Sequence, residues 1–100
     1  MTLTHLAEIH PKPEFFQQAE SAVRAVITQT RQEEGCLEFT FFADAKRERL
    51  YILETWTDMA AFEFHHAQDY ILSVMSSYAT WLEKPPVLTE ITERPALDAA

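Results

Sequence analysis

The stretch Leu50–His65, LYILETWTDMAAFEFH, decides how this chain folds. Its first half, Leu50 to Trp56, is rich in aliphatic and aromatic residues and reads as a strand. Glu54 and Trp56 stand two residues apart, so they share one face of that strand with Ile52. Thr57-Asp58 then supplies a helix start, with Asp58 placed as the N-cap. Ala60, Ala61, Phe62 and His65 follow as helix, and Phe62 and His65, three apart, lie side by side on it. A strand carrying a carboxylate and an indole thus runs straight into a helix carrying an imidazole. That combination suits a small apolar pocket with one proton-transfer group.

On the C-terminal side, Ala67-Gln68-Asp69 reads as a break. A second helical stretch, Tyr70 to Glu83, repeats Ile71, Val74, Met75, Tyr78 and Leu82 at three and four residues. Pro85-Pro86 ends it, Val87 to Glu93 alternates as a last strand, and residues 95–100 are expected to be a disordered tail. On the N-terminal side, Cys36–Asp44 and Arg49–Thr57 read as a hairpin joined by Ala45–Glu48. Leu37, Phe39 and Phe41 are expected on one face of the earlier strand, and Cys36 and Phe42 on the other. Gly35, the only glycine, falls where a helix C-cap belongs. It follows a helix from Glu14 to Glu34 whose stripe is Phe15, Phe16, Ala19, Ala22, Val23, Val26 and Ile27. Pro11 and Pro13 separate that helix from a first strand, Thr2–His10, with Leu3, His5, Ala7 and Ile9 on one side. The order is β-α-β-β-α-β with a split second helix: a ferredoxin-like α+β fold with an antiparallel sheet, forming one domain over residues 1–94.

Both hairpin strands are apolar on both faces, unlike a sheet with one wet side. The helices can cover one face, so the other is expected to meet a second subunit, most simply in a symmetric dimer. Composition closes off several function classes. The chain has 100 residues, 47% of them hydrophobic and 24% charged, as in a globular domain. Its net charge of −8, with only eight scattered Lys and Arg, argues against nucleic acid. No apolar run approaches a membrane span, and no signal peptide is recognisable at the start. The single cysteine, Cys36, excludes an internal disulfide, fits the cytoplasm, and reads as a small core residue.

His65 falls on the inward stripe of its helix, whereas His66 is turned by about 100° and is expected to face water. A neutral imidazole among aromatic rings is a ready proton acceptor near pH 7. His5 on the first strand is a second candidate for the same cavity. Glu54 is the odd residue of its strand, and a buried carboxylate needs a partner. It is expected either to pair across strands or subunits or to orient His65 or a substrate hydroxyl. No Cys/His cluster, glycine loop or Ser/His/Asp arrangement is recognisable, so no metal or cofactor is expected.

Two segments resemble one known family. Arg31-Gln32-Glu33-Glu34-Gly35-Cys36-Leu37 is similar to its R-x-E-x-G-C-L helix-to-strand corner. Glu54 through His65 is similar to its E-x-W-x-D-x-A-A-L/F-x-x-H segment. This is the antibiotic biosynthesis monooxygenase (ABM) family, of the dimeric ferredoxin-like α+β barrel class. The resemblance implies a homodimer joined through the sheet face and a small aromatic or carbonyl substrate. One branch oxidises quinols or polyketide phenols with O₂ and no cofactor: a base removes a phenolic proton, and the anion reduces O₂ directly. His65 is then the base, Glu54 its polar support, Trp56, Phe39 and Phe62 the pocket walls, and His5 and Tyr70 further lining residues. A haem-degrading branch needs an Asn on the first strand, a Trp at position 65 and an iron-binding His near position 75. This chain contains no Asn and has Met75 there. An isomerase branch shares the context of His65 but needs cations for a phosphate, for which only Arg31 and Lys84 are available. Isomerisation of a small carbonyl metabolite and ligand binding without catalysis are therefore the alternatives to the oxygenase.

Overall fold

The computed structural model describes residues 2–97. Among them the strands are β1 (Leu3–Ile9), β2 (Cys36–Ala43), β3 (Leu50–Trp56) and β4 (Val87–Ile91). The helices are α1 (Phe16–Arg31), α2 (Met59–His66) and α3 (Asp69–Trp81), and a 3-10 turn over Pro13–Phe15 precedes α1. The strands form one antiparallel sheet in the order β2-β3-β1-β4, which is the ferredoxin-like α+β arrangement. The helix after β3 is split between His66 and Asp69, as the break at 67–69 implies. Residues 92–97 carry neither helix nor strand, and the rest of the expected tail, 98–100, lies outside the described residues.

Alternation along β3 sends Leu50, Ile52, Glu54 and Trp56 to the buried face and Tyr51, Leu53 and Thr55 to the other. His5, Ala7 and Ile9 of β1 join the buried face. Phe16, Ala19 and Val23 of α1 and Tyr78 of α3 close over it to make one core. Each fully buried large apolar side chain contributes roughly 1.5–3 kcal/mol, so this face holds the fold together. The opposite face carries Leu6, Tyr51 and Leu53 half-buried, with Phe42, Val87 and Ile91 exposed.

Strict alternation fails at the start of β2. Cys36 pairs with Trp56 and Phe39 with Glu54, but a bulge lies between Cys36 and Glu38. Cys36 therefore shares the helix-covered face with Phe39 and Phe41, and packs against the core. Leu37, expected beside Phe39, is instead 55% exposed. An extra residue in one strand reverses the facing of everything before it.

Gly35 also differs from expectation. α1 ends at Arg31 with Gln32 as its C-cap, and no glycine has a positive φ. What Gly35 supplies is space: a Cβ there would sit 2.3 Å from the Cβ of Ala61 on α2. Its carbonyl accepts the Thr57 N–H at 2.9 Å, which pins the start of α2 to the α1–β2 corner. Gly35→Ala should therefore destabilise the protein by about 1–3 kcal/mol through overpacking. A urea midpoint equal to that of the wild type would show that the corner is not tight.

Candidate active site

Asp58 caps α2 by accepting the Ala61 N–H at 2.9 Å. Together with the Gly35–Thr57 bond, this cap sets the helix so that His65 points inward, with 3% exposure. The same corner holds Glu33, between the end of α1 and β2. His65 Nδ1 and Glu33 Oε2 lie 2.9 Å apart, and that oxygen also accepts the Tyr70 hydroxyl. A carboxylate can only accept, so Nδ1 carries the hydrogen, and the tautomer this bond selects has its lone pair at Nε2. Rings surround the imidazole, with Trp56 at 4.6 Å and Phe39 at 5.8 Å between centroids. Burial, reinforced by the Glu33 carboxyl, pushes the Tyr70 phenol up to about 12.

A second polar pair sits beside the first. Glu54 is 3% exposed, and its Oε1 accepts the Trp56 indole N–H at 3.2 Å. His66 Nε2 lies 4.0 Å from the same oxygen. Burial raises the Glu54 carboxyl to about 7, against the opposing Trp56 hydrogen bond. Burial, then the neighbouring His65 and His5, lowers His66 to about 4. At neutral pH the His66 ring is uncharged, and Glu54 is divided between acid and carboxylate.

His66, expected to face water, does so only in part: its side chain is 35% exposed. Its ring packs at a tilt on Phe62 at 4.4 Å, and its Nε2 is buried without a hydrogen bond. The reason is local: the two consecutive rings meet edge-on at 84°, and the helix end lies close enough to the sheet for both to insert. His5, opposite Glu54 across β1 and β3, packs on Phe62 at 4.8 Å with its buried Nδ1 unpartnered.

Glu54, His65, His66, Phe39, Val74 and Tyr78 are among the walls of a cavity of about 80 Å³ between the sheet and the helices. Trp56, Phe62 and His5, expected as pocket walls, stand behind the residues that touch this space and support them. Tyr70 reaches a separate, open groove of about 780 Å³, lined also by Glu33, Gln29, Gln32, Phe64 and Gln68. Glu33 therefore links the surface groove to the buried imidazole. The inner cavity is a few water molecules in size, against the several hundred Å³ usual for a small-molecule site. An aromatic guest needs added room, and Met75 and Leu88 flank the cavity with 41% and 40% exposure.

Glu54 was expected to support His65, but its hydrogen-bond partner is Trp56 and its neighbouring imidazole is His66. Glu33 is the group that holds His65. Two participants, Glu33 and His66, were not assigned to the site from sequence. Glu33 nevertheless lies inside the R-x-E-x-G-C-L corner, where a Glu two residues before a tightly packed glycine was the available signal. Among the described residues, no three His, Cys, Asp or Glu side chains are grouped to hold a metal ion. No helix among them is long and apolar enough to cross a membrane.

Comparison with known proteins agrees with this architecture. Residues 2–76 match the family described as antibiotic biosynthesis monooxygenase. The chain is 29% identical over 90 residues to "Putative monooxygenase YcnE" of Bacillus subtilis, across 87% of this chain and 95% of that protein. It is 24% identical over 84 residues to "Putative monooxygenase Rv0793" of Mycobacterium tuberculosis, across 84% and 83% of the two chains. The solved structure of Rv0793 superposes with a TM-score of 0.86 at 22% identity over the whole of both chains. PA3566 from Pseudomonas aeruginosa gives 0.87 at 25% identity over 94% of this chain and 95% of that one. With most of its length inside that family's pattern, the chain belongs to the antibiotic biosynthesis monooxygenase family.

Proposed function

We propose that this protein is a cofactor-independent monooxygenase that oxidises a quinol-like or phenolic small molecule with O₂. The observation that carries this reading is His65, a buried imidazole whose Nδ1 is tied to Glu33 and whose ring borders an apolar cavity. Its free Nε2 is placed to accept a phenolic proton. Ionisation turns the phenol into a reductant able to pass an electron to O₂, and the apolar walls keep competing water away. The Glu33 carboxylate, which also accepts the Tyr70 hydroxyl, stabilises the imidazolium that holds this proton. For a phenol the overall change is the phenol plus O₂ giving a quinone plus water.

The same reading joins two chains through the outer sheet face, where Phe42, Val87 and Ile91 are exposed. It places the protein in the cytoplasm, where the lone Cys36 stays reduced. Oxygen-electrode assays with 1,4-naphthohydroquinone and related reduced naphthoquinones test the activity. The expected result is enzyme-dependent O₂ uptake without added metal or flavin. A rate no higher than autoxidation across the series would sink the oxygenase reading.

One observation favours a second reading. A base at His65 and a partly protonated carboxyl at Glu54 border the same cavity, which also suits isomerisation of a carbonyl compound through an enol. That chemistry runs without O₂, so proton exchange into an enolisable ketone under nitrogen would identify it.

A further inference from the structure

We infer that Glu54 is the proton donor of this cavity: fixed by Trp56 and set beside His66, it protonates the oxygen that is reduced there while His65 serves as the base. This rests on the oxygenase reading above and adds to it the group that handles the reduced oxygen.

Glu54 and His65 reach the cavity from different elements, β3 and α2, so an acid and a base can address one guest from two sides. No Lys or Arg pairs with Glu54 among the described residues. The titratable groups around it are His5 on β1, Cys36 on β2, His65 and His66 on α2, and Tyr78 on α3. None is a permanent cation, and a buried carboxylate without one favours its protonated form. Trp56 donates to Oε1, which leaves Oε2 without a hydrogen bond among the described residues. His66 Nε2 is buried and unbonded at 4.0 Å from Oε1. That gap is too long for a direct hydrogen bond and right for one bridging oxygen atom.

The steps balance for a phenol with a ring C–H. His65 Nε2 takes the phenolic proton. The phenolate passes one electron to O₂, and the resulting phenoxyl radical and superoxide couple, forming a ring C–O bond. Glu54 gives its proton to the distal peroxide oxygen, leaving a hydroperoxide. The ring C–H proton then returns to the Glu54 carboxylate as the O–O bond breaks. The departing hydroxide takes the proton held by His65 and leaves as water. The substrate has lost four electrons, O₂ has gained four, and both residues are back in their starting states.

The test compares the wild-type chain with Glu54→Gln, whose amide oxygen still accepts from Trp56, using 1,4-naphthohydroquinone as the probe. Under nitrogen, ionisation of the bound probe, read from its naphtholate absorbance, should be the same in both. In air, Glu54→Gln should turn over about 10²-fold more slowly, and the fall in wild-type rate at rising pH should disappear. Glu54→Asp, which keeps an acid, should recover part of the rate. It also serves as the test should the glutamine variant fail to fold. Wild-type turnover in Glu54→Gln, or loss of anaerobic ionisation along with turnover, overturns the assignment. A wild-type protein that ionises the probe but takes up no O₂ overturns the oxygenase reading itself, and this role with it.

Discussion

Replacing His65 with alanine should lower O₂-dependent turnover by about 10²–10⁴-fold, the range usual for removing a general base. His65 is 3% exposed among Trp56 and Phe39, so the alanine variant also opens a hole and loses stability. His65→Gln separates the two effects: it keeps an N–H for Glu33 but has no ring nitrogen to act as a base. Both variants should lose turnover, while only the first should melt markedly lower. Glu33 acts through His65 and is a positioning residue. Glu33→Gln can present its amide N–H to Nδ1, which moves the ring hydrogen to Nε2 and blocks the accepting atom. The expected result is a fall in kcat with KM little changed, and an imidazole nitrogen spectrum switched to the other tautomer. The double variant should be no slower than His65→Ala alone, because both changes disable one device. Turnover at the wild-type level in His65→Gln would remove the proposed base.

Glu54→Gln should make the fold more stable at alkaline pH, by about 3 kcal/mol, given a carboxyl raised to about 7. The sign follows from proton binding. Below about pH 4.5 the carboxyl is protonated in both folded and unfolded chains, and the wild type carries no penalty. Between about 4.5 and 7 the unfolded chain ionises while the folded one holds its proton, so wild-type stability falls as pH rises. Above about 7 the folded form has ionised too and the loss is complete, with the Trp56 indole N–H the one donor to the buried carboxylate among the described residues. The glutamine variant has no such term and keeps the Trp56 contact. Thermal melts of both proteins from pH 4 to 9 should converge at the acid end and separate with rising pH. Parallel curves would mean that Glu54 titrates normally. His66 contributes the opposite sense: its imidazole is lowered to about 4, so the folded form loses stability as pH falls from about 6.5 toward 4. Stability and activity are then in opposition at Glu54, as is common where a site holds an ionisable group away from water.

Much of this architecture is legible along the chain because it is local. The two-residue period of Leu50, Ile52, Glu54 and Trp56 and the Asp58 cap are read within a few positions, and the structure keeps both. The stripe of α1 and the proline stops are of the same kind. His65 and Glu54 could be marked as inward polar residues because periodicity reports facing.

What periodicity cannot report is which inward residues meet. Glu33 and His65 are 32 positions apart, and they touch only because Gly35 lets α2 approach the α1–β2 corner. The bulge at Cys36 and Glu38 inverts one strand's start, since a single inserted residue has no signature in an already apolar run. His66 buries its Nε2 although the helical period turns it away from His65. A helix end packed closely onto the central strands can bury part of more than one of its faces. The sequence by itself determined the order of elements, the buried face of β3 and the presence of an inward imidazole, because these depend on neighbours in the chain. Only the tertiary structure decided that Glu33 holds that imidazole and that Glu54 stands apart with Trp56 and His66. Those pairings depend on how closely separate elements pack, and close packing is a property of the assembled molecule.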